Sequence, residues 1–414
     1  MMKNFKLFAA VAAMLLLSGC GFVKGKAAGY YLSKARATAQ KAGPAPAELE
    51  EAFARVEKAS GYAPDSPAAV DVLDDLAAAS EKSAFAKGQE LQSAILKKMI
   101  ARNGAYWPAR ESLVSFLASR GDLSGLADEA MAAGKLASDS DKDPGNRYCA
   151  LLVQLAATAA SVPWLESEAF VSLNKSPEVF FEKAGGYSAA AEQVSAIKAE
   201  LDRMTAADAA LKKVPPPKLA SAAEVACADA LRDKDAIARA AAFNAKAAAE
   251  PAFRNAVTMT IQGNAALVGK DYARARAFYQ GALSRYPGLL DSRRQLAETD
   301  FQEGASLAAV GGAAKAADQL LGRAYAGANA VIAAAGQAAN SIPFLKPDKF
   351  IGDTYALKAA SIAAIRAVKG AKLKKAAAAR LEADFKASLD EALKFNPEGR
   401  LARELNERYT KEGF

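Results

Sequence analysis

Residues 259–287, MTIQGNAALVGKDYARARAFYQGALSRYP, constrain the fold of this chain more than any other stretch. At helical spacing they divide into two amphipathic segments, broken at Gly269, Lys270 and Asp271. Gly263 and Ala266 share one face of the first segment, where small side chains let a second helix come close. Tyr272, Ala275, Tyr279 and Ala282 recur at steps of three and four, giving the second segment one continuous packing face. Pro287 cannot continue a helix and marks the stop. The stretch is predicted to be a helical hairpin.

A second such unit opens at Tyr106 in AYWPARESLVSFLASRGDLSGLADEAMAAG. Pro108 stands early in a helix, where its missing N–H costs little, and Leu113, Phe116 and Leu117 form the apolar face. Gly121 and Asp122 make the turn; Leu123, Leu126, Ala130 and Ala133 line the returning helix. A third unit begins near Leu290, with Leu296 and Ala297 mid-helix, Gly304 at the turn, and Ala309, Ala313 and Ala316 along the second helix. A small residue midway along a first helix, then Ala, an aromatic, Ala and a closing Pro in the second, resembles the tetratricopeptide repeat. Leu126 stands where that family usually has Ala, and Asp300 where it usually has a large apolar residue. The resemblance implies an all-α solenoid of helical hairpins that binds partners and does no chemistry of its own. The remaining sequence agrees with an all-α chain: no period-two, β-branched run occurs, and the Ala, Leu, Lys and Glu content favours helix. Residues 30–41, 47–60, 67–79 and 83–102 read as helices, with Pro44, Ala45 and Pro46 breaking the first from the second.

The N-terminus carries a different signal. MMKNFK is a short basic leader, LFAAVAAMLLL an apolar run, and Leu17, Ser18, Gly19 and Cys20 follow at once. A lasting bilayer span needs roughly 20 apolar residues, so the shorter run reads as an export signal. The tetrapeptide resembles the bacterial lipobox, which implies that the thiol of Cys20 is acylated and that cleavage leaves Cys20 as the new N-terminus. Gly21 follows instead of Asp, and by resemblance to enterobacterial sorting this favours the outer membrane, with the chain on its periplasmic face. The expected layout is a signal peptide over 1–19, a lipidated Gly/Lys tether over 20–28, and a mature chain of 414 − 19 = 395 residues. That length suits two ordinary domains or one long solenoid.

Several function classes are excluded by residue content. With no His, there is no His-based triad, His–Zn site or imidazole acid–base catalysis. No Walker loop, dinucleotide fingerprint or paired-Cys metal spacing appears, so no cofactor or metal is expected. The formal charge of +8 falls to +6 once Lys3 and Lys6 leave with the signal, a mild excess that reads as solvated surface. Without an aromatic-and-Arg platform, nucleic acid is not an expected partner. The densest basic run, 366–375, reads as a solvated helix face. Cys149 and Cys227 sit in Ala/Leu-rich helical contexts, which suits buried thiols; an envelope location leaves a disulfide open.

Repeated anchors suggest an internal duplication. Ser161-Val162-Pro163-Trp164-Leu165 followed by Phe170-Val171 has a twin in Ser341-Ile342-Pro343-Phe344-Leu345 followed by Phe350-Ile351, at an offset of 341 − 161 = 180. Gly121 to Gly304 gives 183, and DAALK at Asp208 against DEALK at Asp390 gives 182. Two related helical halves, 29–214 and 219–397, are therefore expected on either side of a Pro-rich joint at 215–218, since consecutive prolines make a stiff, extended link. Residues 398–414 resemble the polar helix that closes such arrays.

Candidate partner-binding residues follow from the resemblance, which places first helices on the concave face. They are Glu111 and Ser115 in one unit, Thr260, Asn264 and Leu267 in the next, and Arg294 and Glu298 after it. Trp164 and Phe344, read as part of inter-helix loops, either plug the core of their own half or wall a groove. The expected function is a lipid-anchored periplasmic scaffold that binds protein partners in an envelope assembly or secretion complex. The alternative is a transporter-associated lipoprotein holding an apolar ligand or docking a periplasmic solute-binding protein. A polar open groove favours the first and an apolar channel the second. An envelope hydrolase ranks last, because no catalytic constellation is visible.

Overall fold

The computed structural model describes residues 23–140, 142–214, 217–310, 313–334, 342 and 347–412. Among them every regular element is helical, so the chain is all-α, as its composition requires. Helix α1 (23–39) leads to α2 (Pro46–Tyr62), α3 (Pro67–Lys82), α4 (Gly88–Arg102), α5 (Trp107–Ser119) and α6 (Leu123–Asp139). Two long helices follow, α7 (Pro144–Ser172) and α8 (Pro177–Ala207), then α9 (Pro217–Ala230) and α10 (Lys234–Ala249). The remainder is α11 (Pro251–Val268), α12 (Tyr272–Arg285), α13 (Leu290–Val310), α14 (Ala314–Ala333), α15 (Pro347–Lys369), α16 (Lys375–Phe395) and α17 (Arg400–Glu412). Proline in the first turn starts α2, α3 and α11, where a missing N–H is harmless. Asp122, Asp233 and Asp271 cap α6, α10 and α12 by accepting from the N–H three residues on.

The chain forms two compact units. The N-terminal unit comprises the described residues up to Trp164 together with Ala190–Arg232; the C-terminal unit comprises Leu165–Ala189 and the residues from Asp233 onward. In the first, α2 to α6 pack each on the next, and α2 also touches α4 and α3 touches α5. In the second, α11 to α16 do the same, with α11 against α13 and α13 against α15. Neighbour and next-but-one contacts together define stacked, tetratricopeptide-like hairpins. Helix α17 lies on α15 and α16, where Ala402, Leu405 and Tyr409 cover Phe385 and Leu389. It is the closing helix that the sequence suggested, and it buries a face that the last hairpin leaves open.

The hairpin over 259–287 forms as its spacing predicts. A Cβ on Gly263 would lie 2.5 Å from Tyr279 Cε1, so only glycine lets α11 approach the ring that fills α12's packing face. Ala275, Tyr279 and Ala282 are fully buried. In the core of the same unit Phe180, Phe243, Phe253 and Tyr286 form a chain of edge-to-face rings with centroids 5.8, 5.5 and 5.1 Å apart.

Several expectations are corrected. The described part of the tether, residues 23–28, is the first turns of α1. Gly304 is inside α13, pressed against Leu320 and Leu321, and the chain reverses near Ala313 instead. Gly121 does turn, at φ +64°, so Gly121 and Gly304 are not structural equivalents. Nor are the DAALK and DEALK anchors: Asp208 caps a short 3-10 turn, whereas Asp390 lies within α16. The proposed duplication thus loses two of its three anchors. The division into units also falls away from 215–218: it cuts α7 and α8 and runs on to Arg232, and Pro217 begins α9. Ser161 to Leu165 is helix, not loop; Pro163 removes one hydrogen bond of α7 without ending it. Cys149 and Cys227 are both buried and free. Helix α7 is long and apolar enough to cross a membrane, but 67% of its apolar window is buried within the protein, as in a core helix.

Candidate partner-binding grooves

Each unit carries a groove floored by the first helices of successive hairpins. In the N-terminal unit a groove of about 630 Å³ lies between α3, α5 and the start of α9, with Gln89 and Gln92 of α4 at its side. Glu111 and Ser115, one turn apart on α5, both line it. Asp71, Asp74 and Glu81 face them from α3, and Lys218 reaches in from α9. Asp74 accepts from Ser112 Oγ at 2.8 Å and Gln92 Nε2 at 3.1 Å, yet burial outweighs both bonds and raises its pKa. Burial likewise pushes the Glu111 carboxyl up to about 7, with Lys218 opposing the shift and Asp74 adding to it. Arg110, the next residue back, is committed to a buried ion pair with Glu129 of α6 and offers Glu111 nothing.

The C-terminal groove, about 600 Å³, gathers Asn264 and Leu267 of α11 with Arg294 and Glu298 of α13. Four residues chosen from sequence thus share one surface. Lys270, Asp353 and Arg400 also line it, setting three cations against two carboxylates. Arg294 lies over the Phe350 ring at 5.9 Å, and its Nε is buried with no hydrogen-bond partner among the described residues. Glu298 accepts from Gln302 Nε2 at 2.9 Å.

The four do not play equal parts. Asn264 is buried: its amide donates to the Leu173 carbonyl at 2.9 Å and accepts from Tyr279 Oη at 2.8 Å. It braces the groove floor instead of projecting freely. Leu267 is buried against Ala275 and Tyr279. Thr260 does not reach the groove at all; it is fully buried, with Oγ1 bonded to the Ala256 carbonyl at 2.8 Å and to Ser292 Oγ at 2.6 Å. Helical spacing puts Thr260 and Asn264 on one face but does not say how deeply the next hairpin covers it. Trp164 is 40% exposed and lies on the Gly121 turn, where an added Cβ would meet its ring at 3.1 Å. It is a cover over that turn. Phe344 and Cys20 lie outside the described residues.

No protein-family model matches the chain, and no curated protein does. Among solved structures that match is the APC/C hetero-tetramer Cut9-Hcn1, at 12% identity over 87% of this chain and 93% of that one, with a TM-score of 0.14. So low a TM-score gives the likeness no weight, and the hairpin geometry alone carries the fold assignment.

Sequence reasoning missed Asp71, Asp74 and Lys218, which come from helices without a recognisable repeat pattern. Asp300 departs from the repeat pattern for a structural reason. That buried carboxylate occupies an expected apolar position because Arg276 of α12, at 2.8 Å, and Arg323 of α14, at 2.9 Å, converge on it. An Arg on each flanking helix was the available signal. Asp291, at the start of α13, is a second buried carboxylate. It accepts the Ile342 N–H at 2.9 Å, and burial pushes it up to about 6.

Proposed function

We propose that this chain is a scaffold that binds protein partners through the first-helix faces of its hairpins. The observation that carries the reading is the common groove of Asn264, Leu267, Arg294 and Glu298, drawn from two successive hairpins. Its charged rim suits an extended polypeptide better than an apolar small molecule, which favours the scaffold over the transporter-associated alternative. The setting proposed is the periplasmic face of the outer membrane, in an assembly or secretion complex, with a lipid on Cys20 as anchor; the residues Leu17 to Cys20 are its support. The test is crosslinking and affinity capture from intact cells. Arg294→Ala with Glu298→Ala should reduce partner capture while the melting temperature holds, and undiminished capture would reject the groove. Cys20→Ser should move the protein from washed membranes to the soluble fraction, and unchanged membrane association would reject the anchor.

A further inference from the structure

The N-terminal groove sets four carboxylates, Asp71, Asp74, Glu81 and Glu111, against one ammonium, that of Lys218. Lys218 is informative in itself. Its Nζ lies 3.7 Å from Asp71 Oδ1, yet 77% of the side chain is exposed, so the groove already draws in a lysine that, among the described residues, is held by one long ion pair. One ammonium leaves the carboxylates in excess. Val70, Pro108 and Phe116 provide apolar wall beside them. A Lys or Arg side chain matches that combination, since its stem covers apolar surface while its head stays with the acids.

We propose that this groove docks a lysine- or arginine-bearing extended segment of a partner protein, which displaces Lys218 and lays a cation among Asp71, Asp74 and Glu111. The inference rests on the scaffold reading and names the chemistry of one partner. It has a pH signature. The Glu111 carboxyl, pushed up to about 7 with Asp74 and Lys218 as its charged neighbours, is half protonated near neutrality, and an arriving cation favours its ionised form. Binding therefore tightens as pH rises through that value.

The probe is a fluorescein-labelled KLKLK peptide, with ELELE as its opposite, titrated against the full chain by fluorescence anisotropy at low salt. KLKLK should bind and ELELE should not. Glu81→Gln with Glu111→Gln should weaken KLKLK by about tenfold without lowering the melting temperature, the scale of losing charge partners at a partly exposed site. Glu111→Gln alone should flatten the pH dependence. Lys218→Met should tighten KLKLK a few fold by removing the internal competitor, an effect that general attraction to an acidic surface would produce only weakly and for any cation. Equal binding of both peptides, indifference to the Gln substitutions, or weaker binding in Lys218→Met would overturn the proposal. So would displacement of KLKLK by spermine at concentrations as low as unlabelled peptide requires, which would assign the groove to free polyamines. If cells still crosslink partners at the C-terminal groove while KLKLK ignores the N-terminal one, this inference falls and the scaffold reading stands. Loss of both rejects the two together.

Discussion

The two grooves are floored by corresponding helices but use polar side chains in opposite ways. In the C-terminal groove Asn264 is consumed internally, tying the Leu173 carbonyl to the Tyr279 hydroxyl. In the N-terminal groove Glu111 has charged neighbours but no hydrogen-bond partner among the described residues, and the adjacent Arg110 pairs with Glu129. The second helix decides the difference. Helix α12 offers a buried phenol to the first-helix face, whereas α6 offers a carboxylate to the neighbouring position. A polar residue on the first helix is thus either scaffolding or contact surface, according to what its own hairpin mate supplies.

The sharpest way to break this comparison is to attack the hairpin interior. Ala275→Arg puts a charge into the fully buried seam between α11 and α12 and should cost about 4 kcal/mol or more. Thermal melting by circular dichroism should show much of the C-terminal unit's helicity lost. A mild shift would mean that the seam is looser than the Gly263–Tyr279 contact implies.

The groove residues themselves come next. Asn264→Ala orphans a buried carbonyl and a buried phenol and should lower stability by about 2 kcal/mol, whereas exposed Ser115→Ala should stay within about 0.5. Equal effects in urea unfolding would erase the distinction between brace and contact surface.

Titration separates the units by pH. The raised carboxyls of Asp291 and Glu111 bind protons more tightly folded than unfolded, so their stabilisation is full below the unfolded pKa and is lost as pH rises through the folded one. For Asp291 that window runs from 3.8 to about 6, and for Glu111 from 4.5 to about 7. Asp291→Asn keeps an acceptor for the Ile342 N–H and should remove the Asp291 share of the decline in the lower window. Glu111→Gln should remove the smaller, partly solvent-screened decline in the upper one. Urea midpoints of each variant against the parent, from acid to neutral pH, check the assignment; a decline that either substitution leaves undiminished contradicts it, since Asp74 and Glu129, also raised by burial, add declines of their own.

The smallest effects should come from the hairpin turns. Gly121 and Lys270 both adopt left-handed backbone, with φ of +64° and +60°. Lys270→Gly should therefore gain about 0.5 kcal/mol, while Gly121→Ala should lose about 1 and crowd Trp164. Differential scanning calorimetry resolves shifts of that size, and opposite signs are the expected outcome.

What the sequence made legible follows from how local each feature is. The hairpin over 259–287 was readable because Gly263, Ala275, Tyr279 and Ala282 each answer to a spacing within one helix or to the facing helix. The grouping of Asn264, Leu267, Arg294 and Glu298 was readable for the same reason, being a register along α11 and α13. Depth was not readable. Thr260 is one turn from Asn264 yet meets Ser292 of the following hairpin, a contact 32 residues away in sequence. The Gly304 turn failed because α13 runs on for a further turn and a half, and a glycine that serves close packing looks like one that serves a bend. The acidic groove was invisible for a third reason: Lys218 joins α3 and α5 only through folding, and nothing in its local sequence announces that.

The central claim, that first-helix faces receive protein partners, is tested most directly by site-specific photocrosslinking in intact cells. A benzophenone side chain at Ser115 or Gln295 would look out of the two grooves, and at Met131 or Gln280 out of the second helices α6 and α12. The account predicts discrete protein adducts from Ser115 and Gln295 and none from Met131 or Gln280. Adducts from Met131 and Gln280 with silent grooves would contradict it.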